Sequence, residues 1–156
     1  MEEKKKVNDY PVMTWGWFYF LIYFSLWAGA ILNIVNGIRQ LTGNIYLSEG
    51  LKPAIVYGEF PALKDLDVLF GLFTCALGVF QIITRFALAH YKTYAPTMLH
   101  LSYVFGMIIN MLSSIALFPI TGGSSFLTLI VSIIINIIFL SINIKYFNNR
   151  KYVFVN

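Results

Sequence analysis

The sequence predicts an all-α integral membrane protein, four transmembrane helices in one bundle with both termini cytoplasmic, and three observations predict it. Between Lys92 and Lys145 there is no Asp, Glu, Lys or Arg, a stretch about twice the roughly 20 apolar residues that one membrane-crossing helix requires. A second charge-free run extends from Tyr10 to Ile38. Across 156 residues the chain is 58% hydrophobic and 12% charged, with a mean hydropathy of +0.72, which is about half the charge of a soluble domain. The apolar runs are continuous rather than alternating, so a strand-built barrel is excluded.

In chain order, the first span covers 13–37 and carries Trp15, Trp17 and Trp27 among Phe18, Tyr19, Phe20, Tyr23 and Phe24, an aromatic anchor for the headgroup level. A segment over 38–65 follows on the outer side. The second span covers 66–88, with Asp65 and Asp67 expected to cap its positive end. The third covers 96–118 and starts at Pro96, whose missing N–H costs nothing in a first helical turn. The run Pro119 to Ser125 turns the chain, Ser124 or Ser125 caps the next helix, and the fourth span covers 125–144. All of 1–156 then forms one membrane domain.

Eight of the eleven basic residues, Lys4, Lys5, Lys6, Arg85, Lys92, Lys145, Arg150 and Lys151, fall on the side of the termini, and Arg39, Lys52 and Lys64 fall on the other. This asymmetry puts both termini in the cytoplasm. A cleaved signal peptide ending at Ala28-Gly29-Ala30 is the rival reading, but the apolar run continues past that point and Glu2, Glu3 and Asp9 dilute the basic end. The net charge of +4 does not indicate nucleic acid, because the basic residues separate apolar runs instead of clustering on a solvated face.

Each span carries one stripe of small and polar residues at about 100° per residue. The stripes are Ser25, Gly29, Asn33, Asn36 and Gly37; Asp67, Gly71, Thr74, Gly78, Gln81 and Arg85; Ser102, Gly106, Asn110, Ser113 and Ser114; and Ser125, Thr128, Ser132, Asn136 and Asn143. Lipid solvates apolar side chains as well as a protein core does, so helices associate through such stripes. Asn33, Gln81, Arg85, Asn110, Asn136 and Asn143 are therefore expected in the bundle interior, as fasteners or as a polar path. The first and third spans share their stripe spacing, which hints at a duplicated hairpin.

Chemistry is sparsely represented. One cysteine, Cys75, excludes an intramolecular disulfide and a CxxC pair. His90 and His100 have no further ligand at metal spacing, and Ser124 and Ser125 lack a base and an orienting acid. No carboxylate follows Asp67, so a pump built on a mid-membrane acid has no candidate residue. No enzyme and no cofactor is expected. Small multidrug transporters have a similar size but depend on an acid in their first helix, where this chain has none. Arg85 lies near the inner end of its helix and is expected to reach lipid phosphates. The exposed element richest in possibilities is Leu51 to Pro61, where Lys52, Tyr57, Glu59 and Phe60 accompany two prolines; it is expected to cover the bundle or to bind a partner.

The aromatic first span, Gly16 to Leu21 through Leu32-Asn33-Ile34, and the tail, Ile144-Lys145-Tyr146-Phe147-Asn148-Asn149-Arg150-Lys151 to Phe154, resemble uncharacterised four-span membrane proteins of low-GC Gram-positive bacteria. Some of these carry an amino-terminal zinc ribbon that this sequence lacks. The resemblance implies a bacterial plasma membrane and carries over no functional residue. The expected partners are the lipid bilayer and another membrane protein or a second copy of the chain. The expected role is that of an accessory, regulatory or immunity-type component, with a subunit of a small oligomeric transporter or channel as the alternative.

Overall fold

The computed structural model describes residues 15–121 and 123–154, and the side chains of all of these except 49, 119–121, 123–126 and 128. The basic amino terminus lies outside the described residues; the fourth helix begins at Gly123, so Ser124 and Ser125, expected as its caps, stand inside its first turn instead.

The elements are α1 (Gly16–Phe20), a π turn (Leu21–Ser25), α2 (Leu26–Leu41), a 3₁₀ turn (Tyr46–Glu49), α3 (Pro53–Glu59), α4 (Pro61–Ala89), α5 (Ala95–Thr121), α6 (Gly123–Asn148) and a final 3₁₀ turn (Lys151–Val153). Four stretches are long and apolar enough to cross a membrane: Gly16–Leu41, Pro61–Ala89, Ala95–Phe118 and Leu129–Asn148. The first two outrun the sequence boundaries of 13–37 and 66–88 at the end away from the termini. Hydropathy stops at the first charge, whereas Pro61 is a favourable first helical residue. The 29 residues of α4, at about 1.5 Å each, extend past the roughly 30 Å hydrocarbon layer. Lys64 and Asp65 thus belong to the helix and not to the connection before it.

The four spans form one bundle in which each packs on its sequence neighbour. The first two approach most closely. A Cβ at Gly71 would lie 2.9 Å from the Gly37 carbonyl oxygen, one at Gly78 2.9 Å from that of Ala30, and one at Gly37 2.8 Å from that of Gly71. Backbones that near can meet only where side chains are missing. Gly106 differs: a Cβ there would touch only Leu77, at an ordinary 3.5 Å. The shared spacing of the first and third spans therefore does not become shared packing.

The apolar core divides between the two ends. At the end holding the termini, Phe18, Leu21, Ile22, Leu26, Leu88, Leu99, Tyr146, Phe147 and Phe154 form one cluster. Here the first span meets the fourth, with the Trp17 indole donating to Asn143 Oδ1 at 3.0 Å. The expected aromatic anchor is thus split between two tasks: Phe18 is 2% exposed in this core while Tyr23, at 68%, faces outward. Tyr91, with φ of 52°, turns the chain between α4 and α5 in a conformation unusual for a large side chain. Its ring stacks on Phe18 at 5.5 Å. At the opposite end, here the loop end, Tyr46, Val56 and Leu63 form a second cluster. Between these ends the first two spans stay in close contact, but α5 packs loosely and buries no residue from Tyr103 to Phe118.

Candidate functional site

The loop end is built around one carboxylate. Asp67 is 2% exposed, and its Oδ2 accepts hydrogen bonds from the Tyr46 hydroxyl at 2.6 Å and the Tyr57 hydroxyl at 3.0 Å. Gln40 Nε2 donates to Oδ1 over a longer 3.5 Å. Four elements meet here, because Gln40 comes from α2, Tyr46 from the 3₁₀ turn, Tyr57 from α3 and Asp67 from α4. A buried carboxylate needs such donors, since desolvation without them costs several kcal/mol. The expectation that Asp65 and Asp67 cap the second helix is corrected: that helix begins at Pro61 and Phe60 holds the cap position without a side-chain bond. Asp67 stands almost two turns inside, and it secures the loop instead.

Local sequence delivers the tyrosines. Gly43, with φ of +72°, reverses the chain beside Tyr57, whose hydroxyl would lie 2.7 Å from a Cβ at that position. Pro53 starts α3 after the extended Lys52, which turns Val56 and Tyr57 toward the bundle. The two rings meet edge to face at 5.7 Å. Burial, and then the bond to Asp67, raises both hydroxyl pKa values: Tyr46 goes far up, and Tyr57 rises from 10.0 to about 12. Both are neutral donors at physiological pH.

The four residues proposed for partner contact separate accordingly. Tyr57 faces inward and is occupied by Asp67, whereas Lys52, Glu59 and Phe60 are exposed, together with Ile55 at 56%. Lys52, Ile55 and Glu59 recur at spacings of three and four, so they share one outward face of the lid.

The interior amides also separate. Asn33 Nδ2 donates to Gln81 Oε1 at 2.9 Å, a true link between the first two spans, and Gln81 crosses over Gly29, where no side chain obstructs it. Asn143 is fully buried, receiving the Trp17 indole and donating to Tyr103 at 3.3 Å. Asn136, by contrast, bonds back to the Ser132 carbonyl of its own helix at 2.8 Å. Asn110 is exposed, although it shares a helical sector with the buried Leu99 and Ser102. The reason is geometric: the bundle is open at that level, so an inward direction does not produce burial.

Arg85 is held by the first span. Its Nε donates to the Ile22 carbonyl at 3.4 Å, within the π turn, where the i→i+5 pattern disturbs the helical hydrogen-bond ladder. Its guanidinium lies 4.9 Å from the Phe86 ring centroid and 5.5 Å from that of Trp27, within cation–π range. The sequence expectation has Arg85 reaching lipid phosphates; among the described residues it contacts this carbonyl and the rings of Phe86, Trp27 and Tyr23, the last at 5.9 Å.

Gln40, Tyr46 and the role of Asp67 were missed by sequence reasoning. Nothing in their spacing announces them, since they span three elements, and the only signal was two tyrosines in the connection over 38–65. Among the described residues no three His, Cys, Asp or Glu side chains gather as a metal site. No protein-family model, curated protein or solved structure matches this chain.

Proposed function

We propose that this chain is a non-enzymatic polytopic membrane protein, an accessory, regulatory or immunity-type component that acts by binding another membrane protein. The observation that carries this reading is the lid: Asp67 pins Tyr46 and Tyr57 inward, while Ile55 and Glu59 on a short, pre-organised helix, and Lys52 and Phe60 at its two ends, remain outward. A rigid surface loses little conformational entropy on binding. Photo-crosslinking residues placed at Ile55 and Glu59 in whole cells are expected to capture a discrete partner, and one at the inward Val56 is not. Equal capture from all three positions, or from none, would remove the lid as the contact surface.

A second reading, a subunit of a small oligomeric transporter or channel, draws on the exposed Asn110 and the loose packing of α5 around it. Single cysteines in a Cys75→Ala background separate the two and also test orientation. With the termini in the cytoplasm of a bacterial plasma membrane, Ser48→Cys is expected to react with an impermeant thiol reagent from outside and Tyr152→Cys is not. Asn110→Cys stays unreactive if the middle of the bundle is closed by lipid or a partner helix. It reacts if a water path reaches it, which would favour the transporter reading.

A further inference from the structure

We infer that the end of the bundle holding the termini carries a binding pocket for the phosphate of an acidic phospholipid headgroup. A cavity of about 390 Å³ opens there between the start of α5 and the end of α6. Thr93 and Thr97 supply hydroxyls on one side, Asn148 and Lys151 supply an amide and an ammonium on the other, and the rings of Phe147 and Phe154 line it as well. Both rings are buried in the adjoining core, at 2% and 6% exposure, so this part of the wall is fixed by packing. Lys151, Asn148, Thr93 and Thr97 are exposed and stand at the rim. Hydroxyl and amide donors with one lysine suit a phosphate, for which lysine acts as a point charge.

The fourth wall is His100. Its Nε2 is buried without a hydrogen-bond partner among the described residues. The surroundings have one sign. Arg85, Lys92, Lys145, Arg150 and Lys151 all belong to this end, while every acidic residue between 15 and 154, namely Glu49, Glu59, Asp65 and Asp67, belongs to the loop end. An anion in the cavity therefore meets no carboxylate among the described residues. The level along the helix axis selects the source of the phosphate. Thr93 lies in the turn just before the third span and Lys151 just after the fourth, the depth at which headgroups sit and basic residues each attract acidic lipid by about 1 kcal/mol.

The test uses the full chain purified in mild detergent. Lipid adducts are counted by native mass spectrometry after titration with phosphatidylglycerol, phosphatidylcholine or inorganic phosphate. The wild type is expected to hold one phosphatidylglycerol in preference to phosphatidylcholine. Lys151→Glu is expected to weaken that adduct about tenfold, Thr97→Val to weaken it severalfold, and Lys145→Glu, which is exposed at the same end but does not line the cavity, to leave it unchanged. Thr97→Val removes a hydroxyl at nearly constant volume, so it carries the test if the charge reversal fails to fold. Equal losses at Lys151 and Lys145 would reduce the effect to general surface charge and overturn the pocket. Equal binding of both lipids would do the same. Displacement of the lipid by millimolar inorganic phosphate would show a free-anion site and overturn the lipid assignment.

Discussion

Gly71→Leu and Gly78→Leu are expected to separate the first two spans and to lower stability by about 1–3 kcal/mol each or more, the range for overpacking a well-fitted contact. A Cβ at Gly71 or Gly78 meets backbone carbonyls 2.9 Å away, and helix backbone, unlike a flexible side chain, has nowhere to retreat. The consequence reaches further than the contact itself. The Asn33–Gln81 link and the Gln40–Asp67 bond both cross the same seam, so they lengthen as the helices part. Gly106→Ala is the matched control, because its Cβ would meet Leu77 at 3.5 Å. Unfolding in a graded detergent series reads the effect; a midpoint for the two leucine variants equal to that of Gly106→Ala would mean that this seam is not closely packed.

Asp67→Leu is expected to release the lid. It strands the hydroxyl of Tyr46, which is 1% exposed, and that of Tyr57, and a buried donor left without a partner costs about 1–3 kcal/mol. One such loss corresponds to roughly a 5- to 150-fold shift toward the open lid, measurable as faster cleavage after Glu59 by a glutamate-specific protease. Asp67→Asn, which retains an acceptor oxygen, should fall between. Wild-type cleavage kinetics in the leucine variant would show that packing alone holds the segment. The pH dependence has a definite sign. The Tyr57 pKa is raised from 10.0 to about 12 in the folded state, so the folded form holds its proton more tightly than the open form. Its contribution to closure is complete below pH 10 and is lost as pH climbs through about 12. Tyr46, shifted in the same direction, reinforces the sign. Tyrosinate absorbance in the wild type should thus show a late-ionising fraction that Asp67→Leu removes.

The fold was legible because hydrophobic length is a one-dimensional property: Lys92 to Lys145 without a charge must be two helices wherever the chain is placed. The stripe on the second span was legible for a related reason. Gly71, Gly78 and Gln81 repeat with the helix period, and period alone puts them on one face, which meets the first span. Direction is not burial, however. Asn110 and Asn136 follow their stripes as well as Asn143 does, yet Asn143 is enclosed and bonded to two neighbouring helices, Asn136 bonds to its own helix and Asn110 is exposed.

What the sequence by itself determined, then, is the apolar class of the chain, the number of membrane-length helices and the face on which the first two meet, because apolar length and a 3.6-residue period act within a single segment. Only the tertiary structure decided that Asp67 secures a lid rather than capping a helix. Its donors come from residues 40, 46 and 57 on three separate elements, and no local pattern encodes a meeting whose geometry depends on how α2, α3 and α4 pack at their ends. The same holds for the pocket beside His100, whose walls belong to the beginning of one helix and the end of the next and become neighbours only when the bundle closes.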